Sequence, residues 1–107
     1  MSETVAVVMN EAAHRFEARV GEAVAFAEYR LRDGVMILPH TEVPDAFEGR
    51  GVASQLAKAA LGYAREQGLE VAPACSFMAG YIARHPEWHD LVQADYRARL
   101  GIEDPPA

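Results

Sequence analysis

Two hydrophobic periods divide the chain. Up to Val43 the pattern repeats every second residue, as in strands whose two faces differ. From Gly51 onward it follows the wider spacing of helices. In the first half, Val5, Val7 and Met9 alternate with Ala6 and Val8, an apolar composition suited to a buried strand. Phe16, Ala18 and Val20 alternate with Arg15, Glu17 and Arg19, so the next strand has one dry face and one wet face. Gly21-Glu22 supplies a hairpin turn. Ala23 to Leu31 makes a third strand that carries Phe26 and Tyr29. Asp33-Gly34 is a strong short hairpin signal. Val35 to Val43 makes a fourth strand, interrupted by Pro39, which has no N–H to give a ladder and so marks an edge, a bulge or a splay. This half reads as an antiparallel meander.

In the second half, Val52, Leu56, Ala59 and Tyr63 recur at helical spacing, and Ala53, Ala57, Ala60 and Ala64 form an adjoining stripe of small residues. They predict a helix over residues 51–67 with a flat face for close packing on a sheet. Tyr63 and, further on, Trp88 read as core. Gly68 is placed to end the helix. Leu69 to Pro73 makes a short strand, and Ser76 caps a second helix through Phe77, Met78, Tyr81 and Ile82. His85 precedes Pro86 and is pushed out of helical geometry. A third helix is predicted over Glu87 to Leu100, followed by a frayed tail from Gly101 to Ala107. Strands followed by helix, strand and helix make an α+β (mixed α/β) fold, one sheet with helices packed on it.

Composition narrows the function classes. A chain of 107 residues fits one domain, residues 1–107. Hydrophobic residues make up 50% and charged residues 24%, a globular balance. No apolar run approaches the roughly 20 residues of a membrane span. Val5 to Met9 is too short for a signal-peptide core and lacks a basic flank. The expectation is a cytoplasmic protein that does not enter a membrane. The single cysteine, Cys75, excludes an internal disulfide and a multi-thiolate metal site within one chain. Of His14, His40, His85 and His89, only the last two are closely spaced, and Pro86 lies between them, so no metal is expected. The formal net charge of −6 argues against nucleic-acid backbones as partners. Small anions stay open, because they need only local donors.

Such donors are offered by Glu48-Gly49-Arg50-Gly51, which opens into the long helix. The first N–H groups of a helix have no intrahelical partners and, with the macrodipole, favour an anion. Glycine lets the backbone approach a phosphate closely. Arg50, Ser54 and Lys58 can add side-chain donors. A plain structural turn explains the same residues. The stretch is not a Walker P-loop, since G-x-x-x-x-G-K-[ST] is absent. It also lacks the third glycine of a dinucleotide fingerprint, where Ser54 stands.

The stretch resembles the acyl-CoA-binding motif of the GCN5-related N-acetyltransferase superfamily, Q/R-x-x-G-x-G/A. Gly51 and Ala53 match its end, while Glu48 takes the Q/R position and departs from the pattern. The wider segment from His40 to Val92 is similar to a subfamily of small single-domain members. These share, in this order, the blocks H-T-E-V-P, E-G-x-G, C-x-F and Y-I-x-x-H-P-E, present here as "HTEVP", "EGRG", "CSF" and "YIARHPE". Phe16 to Leu38 fits more loosely. The resemblance implies a sheet whose fourth and fifth strands, Val35 to Val43 and Leu69 to Pro73, splay apart. It implies acetyl-CoA as cofactor, its pantetheine in the splay and its pyrophosphate on the helix that begins near Gly51. The implied cofactor-binding residues are Val43, Glu48, Gly49, Arg50, Gly51, Val52, Ala53, Ser54, Tyr81 and His85.

Acetyl transfer to an amine requires a positioned thioester, a deprotonated acceptor and a proton for the departing thiolate. The catalytic candidates are Cys75, His40 and Glu42. Cys75 follows the fifth strand at a helix start, where a thiolate is favoured. It reads as an acyl-carrying nucleophile, a proton donor to coenzyme A, or a small buried hydrophobe. His40 is either a base or a structural group, and alternation puts Glu42 on its strand face. His85 most simply fixes a helix end. Strands begin almost at the N-terminus, so the acceptor side is expected to be open, shallow or completed by another molecule. That suits a small amine or a protein or peptide amine, acted on by a monomer or weak homodimer. The second functional class is a non-catalytic acyl-CoA-binding or sensing module.

Overall fold

The computed structural model describes residues 6–47 and 51–101. The elements run β1 (Val7–Asn10), β2 (Arg15–Val20), β3 (Ala23–Glu28), β4 (Arg30–Arg32), β5 (Val35–Ile37) and β6 (Thr41–Glu42). A 3₁₀ turn at Asp45–Phe47 follows, then α1 (Val52–Gln67), β7 (Glu70–Ala72) and α2 (Ser76–Arg84). A second 3₁₀ segment, Pro86–Leu91, leads into α3 (Ala94–Leu100). Val5, the expected start of the first strand, lies outside the described residues.

The expected meander is present, but it is divided between two sheets. One is antiparallel with order β1-β2-β3-β6. The other has order β4-β5-β7, with β4 antiparallel and β7 parallel to β5. The third and fourth predicted strands each break in two where their partners change. The Tyr29 N–H bonds the His14 carbonyl at 2.9 Å, one step further in the β2–β3 register, and beyond it the chain pairs with β5 instead. The Leu38 N–H goes to Ala72 O at 3.0 Å, Pro39 has no N–H, and Glu28 N–H then reaches His40 O at 2.8 Å. Asp33 and Gly34 both take positive φ, 50° and 79°, as a tight hairpin turn with primed geometry requires.

The helix α1 lies across β1, β2, β3 and β7. Its buried residues are Val52, Leu56, Ala57, Ala60, Leu61 and Ala64, facing Phe16, Ala18, Ala25, Ala27 and Tyr29 of the sheet. Alanine on both sides lets helix and sheet approach closely, and Phe16 meets Tyr63 edge-on at 6.0 Å between centroids. The buried stripe is turned about one position from the predicted one: Leu61 is inside, while Ala59 and Tyr63 are half-buried at its border. Gly68 ends the helix in a Schellman motif, with φ 68° and Leu69 N–H on Ala64 O at 2.8 Å.

The C-terminal half corrects two expectations. The cap of α2 is Cys75, not Ser76, because the Cys75 sulfur accepts the Met78 N–H at 3.4 Å. The single helix expected over 87–100 is interrupted. Val92 turns extended and bridges in parallel to Val71, and Gln93 N–H bonds Val71 O at 2.9 Å. The apolar Leu91-Val92 pair is therefore spent on the edge of the second sheet rather than on one helical face.

Candidate active site

The first turn of α1 is shaped to leave its amides available. Gly51 sits in the left-handed region at φ 70°, and no side chain of the described residues caps the helix. The first intrahelical bond is Gln55 N–H to Gly51 O at 3.2 Å, so the amides of Val52, Ala53 and Ser54 precede the ladder. A methyl group added at Gly51 would meet nothing within 4 Å. The glycine is thus required by its backbone conformation and not by crowding from its own chain. The Val52 side chain is buried in the core, which leaves its amide as its contribution, and Ser54 and Lys58 are exposed. Glu48, Gly49 and Arg50 lie outside the described residues.

The last paired residues are Ile37 of β5 and Ala72 of β7, with Pro39 two residues after the first and Pro73 directly after the second. Neither can donate to a continuing ladder, and the two chains part. One becomes β6 and the other enters α2. The Cys75 N–H returns to Leu38 O at 3.0 Å, which fixes the start of α2 against the parting strands. Beyond that point the Cys75 sulfur lies 3.3 Å from the Thr41 hydroxyl. The thiol is half-buried.

Alternation along the strand puts His40 and Glu42 on the other side from Thr41. Thr41 pairs with Ala27, which faces the core, whereas Glu42 pairs with Phe26 on the outer sheet face. His40 Nε2 and Glu42 Oε2 are 3.9 Å apart, more than half exposed, and the His40 ring lies 5.9 Å from that of Phe26. The same face carries Glu17, which is only 3% exposed. Arg15 and Asn10 bond its carboxylate and Arg19 approaches at 3.5 Å, while the Arg15 guanidinium lies over Phe26 at 4.4 Å. The Arg15 hydrogen bond holds the Glu17 pKa below its ordinary value, against a smaller opposing effect of burial.

Tyr81 and His85 form a separate cluster on α2. Their rings stack at 4.0 Å, and His85 Nδ1–H donates to Tyr81 O at 2.7 Å, closing the helix end. Tyr81 is buried, and neither its hydroxyl nor Trp88 Nε1 completes a hydrogen bond among the described residues. Burial raises the phenol pKa, with the facing Trp88 indole opposing the shift and the Glu87 charge adding to it. A cavity of about 490 Å³ beside His14, Tyr29, Arg30 and Arg32 is lined by none of the candidate residues.

Comparison with known proteins settles what this architecture is. Residues 15–91 match the family model for GCN5-related N-acetyltransferases. The chain belongs to that family. The NMR structure of a GCN5-like protein from Staphylococcus aureus superposes with a TM-score of 0.67 at 28% identity, over 82% of this chain and 87% of that one. Protein NATD1 of Xenopus tropicalis is 35% identical over 79% of this chain and 81% of its own length. Protein NATD1 of Gallus gallus is 42% identical over 60% of this chain. That match spans 57% of the chicken protein's length. Family model and fold agree on the GCN5-related N-acetyltransferase family.

Within this GCN5-related fold the expected splay is found at Leu38 and Ala72, where the two prolines follow. Of the sequence candidates, Cys75 stands at the splay, His40 and Glu42 share the outer face, and Val43 is half-buried just past β6. Tyr81 and His85 meet each other, and the contacts of His85 are those of a helix end. Thr41 was not among the candidates, although it lies inside the "HTEVP" block. The signal that finds it is the same alternation that pairs His40 with Glu42: the residue between them must face the other way.

Proposed function

We propose that this protein is an acetyl-CoA-dependent N-acetyltransferase acting on an amine. The observation that carries the reading is the start of α1 at a left-handed Gly51, which has no side chain to cap the helix, in one fold with a splay that holds a thiol. The amides of Val52, Ala53 and Ser54 suit a pyrophosphate, which needs donors and gains from the helix dipole. Acetyl-CoA, when bound, supplies an activated acyl group as a thioester. Cys75 is the side chain at the splay able to accept that acyl group or to pass a proton to a departing thiolate. His40 and Glu42, on the outer face, are suited to take the proton of an ammonium acceptor arriving from that side. The exposure of this pair suits a small amine or an amine on a peptide or protein.

Calorimetric titration with acetyl-CoA, desulfo-CoA and ATP tests the seat. Micromolar binding of both coenzyme A forms, with ATP much weaker, is the expected result. No binding of any of them overturns the reading. Binding without acetylation of any amine would reduce the protein to an acyl-CoA-sensing module.

A further inference from the structure

We propose that Thr41 is the positioning residue of the Cys75 thiol, serving it in both protonation states. The inference rests on the reading that Cys75 belongs to the acyl-transfer site. Among the described residues, two polar groups meet the sulfur: the Met78 amide at 3.4 Å and the Thr41 hydroxyl at 3.3 Å. The amide is a donor only. A thiol that keeps its proton therefore has to aim it elsewhere, and the Thr41 oxygen is there to accept it. When the sulfur is a thiolate, the hydroxyl turns and donates, so the sulfur then receives two hydrogen bonds. No backbone group can reverse roles in this way.

Both partners are held in place. Cys75 is fixed through its own N–H on Leu38 O, three residues before Thr41 in the same strand segment. Thr41 is fixed by its pairing with Ala27, which is fully buried. Its β-branched side chain has few rotamers open to it. The sulfur is thus held in one orientation at the splay.

The test is the rate at which iodoacetamide alkylates Cys75, followed by intact mass across a range of pH, in the full chain and its Thr41→Val and Thr41→Ser variants. Valine keeps the branched shape and removes the hydroxyl, while serine keeps the hydroxyl. Thr41→Val is expected to alkylate about tenfold more slowly at neutral pH, with the gap closing as pH rises. Thr41→Ser should return to within about twofold of the wild type. Equal rates and equal pH profiles for the wild type and Thr41→Val overturn the assignment, as does a slowed rate that serine fails to restore. Thermal melts of the same samples identify a variant that fails to fold, and Thr41→Ser against wild type then decides. Incubation with acetyl-CoA is run in parallel. Thr41-dependent alkylation in a protein that neither binds acetyl-CoA nor acetylates an amine would keep this assignment and remove the proposed function.

Discussion

Replacing Gly51 by valine separates the backbone requirement at the start of α1 from its ligand. The residue sits at φ 70° and ψ 16°, and a Cβ there meets nothing within 4 Å. At the Cβ itself, sterics against neighbouring elements therefore add nothing. The cost is intrinsic: a residue with a Cβ held in this region loses about 1–2 kcal/mol, and a β-branched residue loses more. The folded chain has two responses. It can keep the left-handed turn and lose about 2 kcal/mol of stability, a shift of roughly 10 °C in Tm for a domain of this size. Or it can rotate the turn, recover the strain, and re-aim the Val52 to Ser54 amides. Asparagine tolerates the left-handed region, so Gly51→Asn should lose much less stability and keep the amide geometry. Thermal melting paired with acetyl-CoA calorimetry reads both responses. Valine is expected to lower Tm, or to lower affinity by at least about tenfold, and asparagine to do neither strongly. A valine variant with unchanged Tm and unchanged affinity would refute both the conformational argument and the role of these amides.

Other substitutions address separate parts of the fold and site. Cys75→Ala should leave coenzyme A affinity unchanged by calorimetry while amine acetylation falls, and retained turnover would assign the cysteine to packing. Leu56 is fully buried, so Leu56→Ala should cost about 3 kcal/mol in urea denaturation, and a loss below 1 kcal/mol would contradict the packing of α1 on the sheet. Glu17 has a lowered folded pKa, so its contribution is present above the ordinary carboxylate value and is lost as pH falls through the lowered one. Glu17→Gln should lower stability at pH 7 by about 1 kcal/mol and flatten the acid limb of the stability profile, both read by denaturation as a function of pH.

Much of the architecture was legible because the signals were local. Asp33-Gly34, Gly68 and the His85-Pro86 boundary act within a few residues, and each is found where the sequence puts it. The elements that shifted were decided by distant partners. Residues 23–31 and 35–43 read as continuous strands, and they break where pairing passes from β2 to β5 and from β7 to β3, which sequence spacing does not reveal. The helix expected over 87–100 failed for the same reason: Val92 finds a place beside Val71 that helical periodicity cannot register. At the candidate site, the parting of the strands was foreshadowed by Pro39. That a second proline, Pro73, stands one register position short of it becomes meaningful only once Ile37 and Ala72 are paired. The cap of α2 was placed one residue late, because hydroxyls are the usual cap and sulfur is a weaker acceptor.

The division of labour at the site depends on very little backbone. The short strand β6 meets β3 at two positions, Phe26 with Glu42 and Ala27 with Thr41. Side chains alternate along a strand, so a slip of one residue in this pairing would send Thr41 outward and turn His40 and Glu42 toward the splay. The register is held by burial on one side, where Ala27 lies under the core, and by the Glu28 N–H bond to His40 O next to it. Leu38 holds the other strand of the splay through Ala72 and Cys75. The same few bonds therefore set which side chains face the thiol and which face the outer side of the sheet. A hydroxyl that can give or take a proton meets the sulfur, and an imidazole with a carboxylate meets solvent. In this arrangement the His40 and Glu42 pair is not the base for Cys75. On the proposed function the pair serves an acceptor at the outer sheet face, so loss of His40 should slow acetylation of an amine without slowing alkylation of the cysteine.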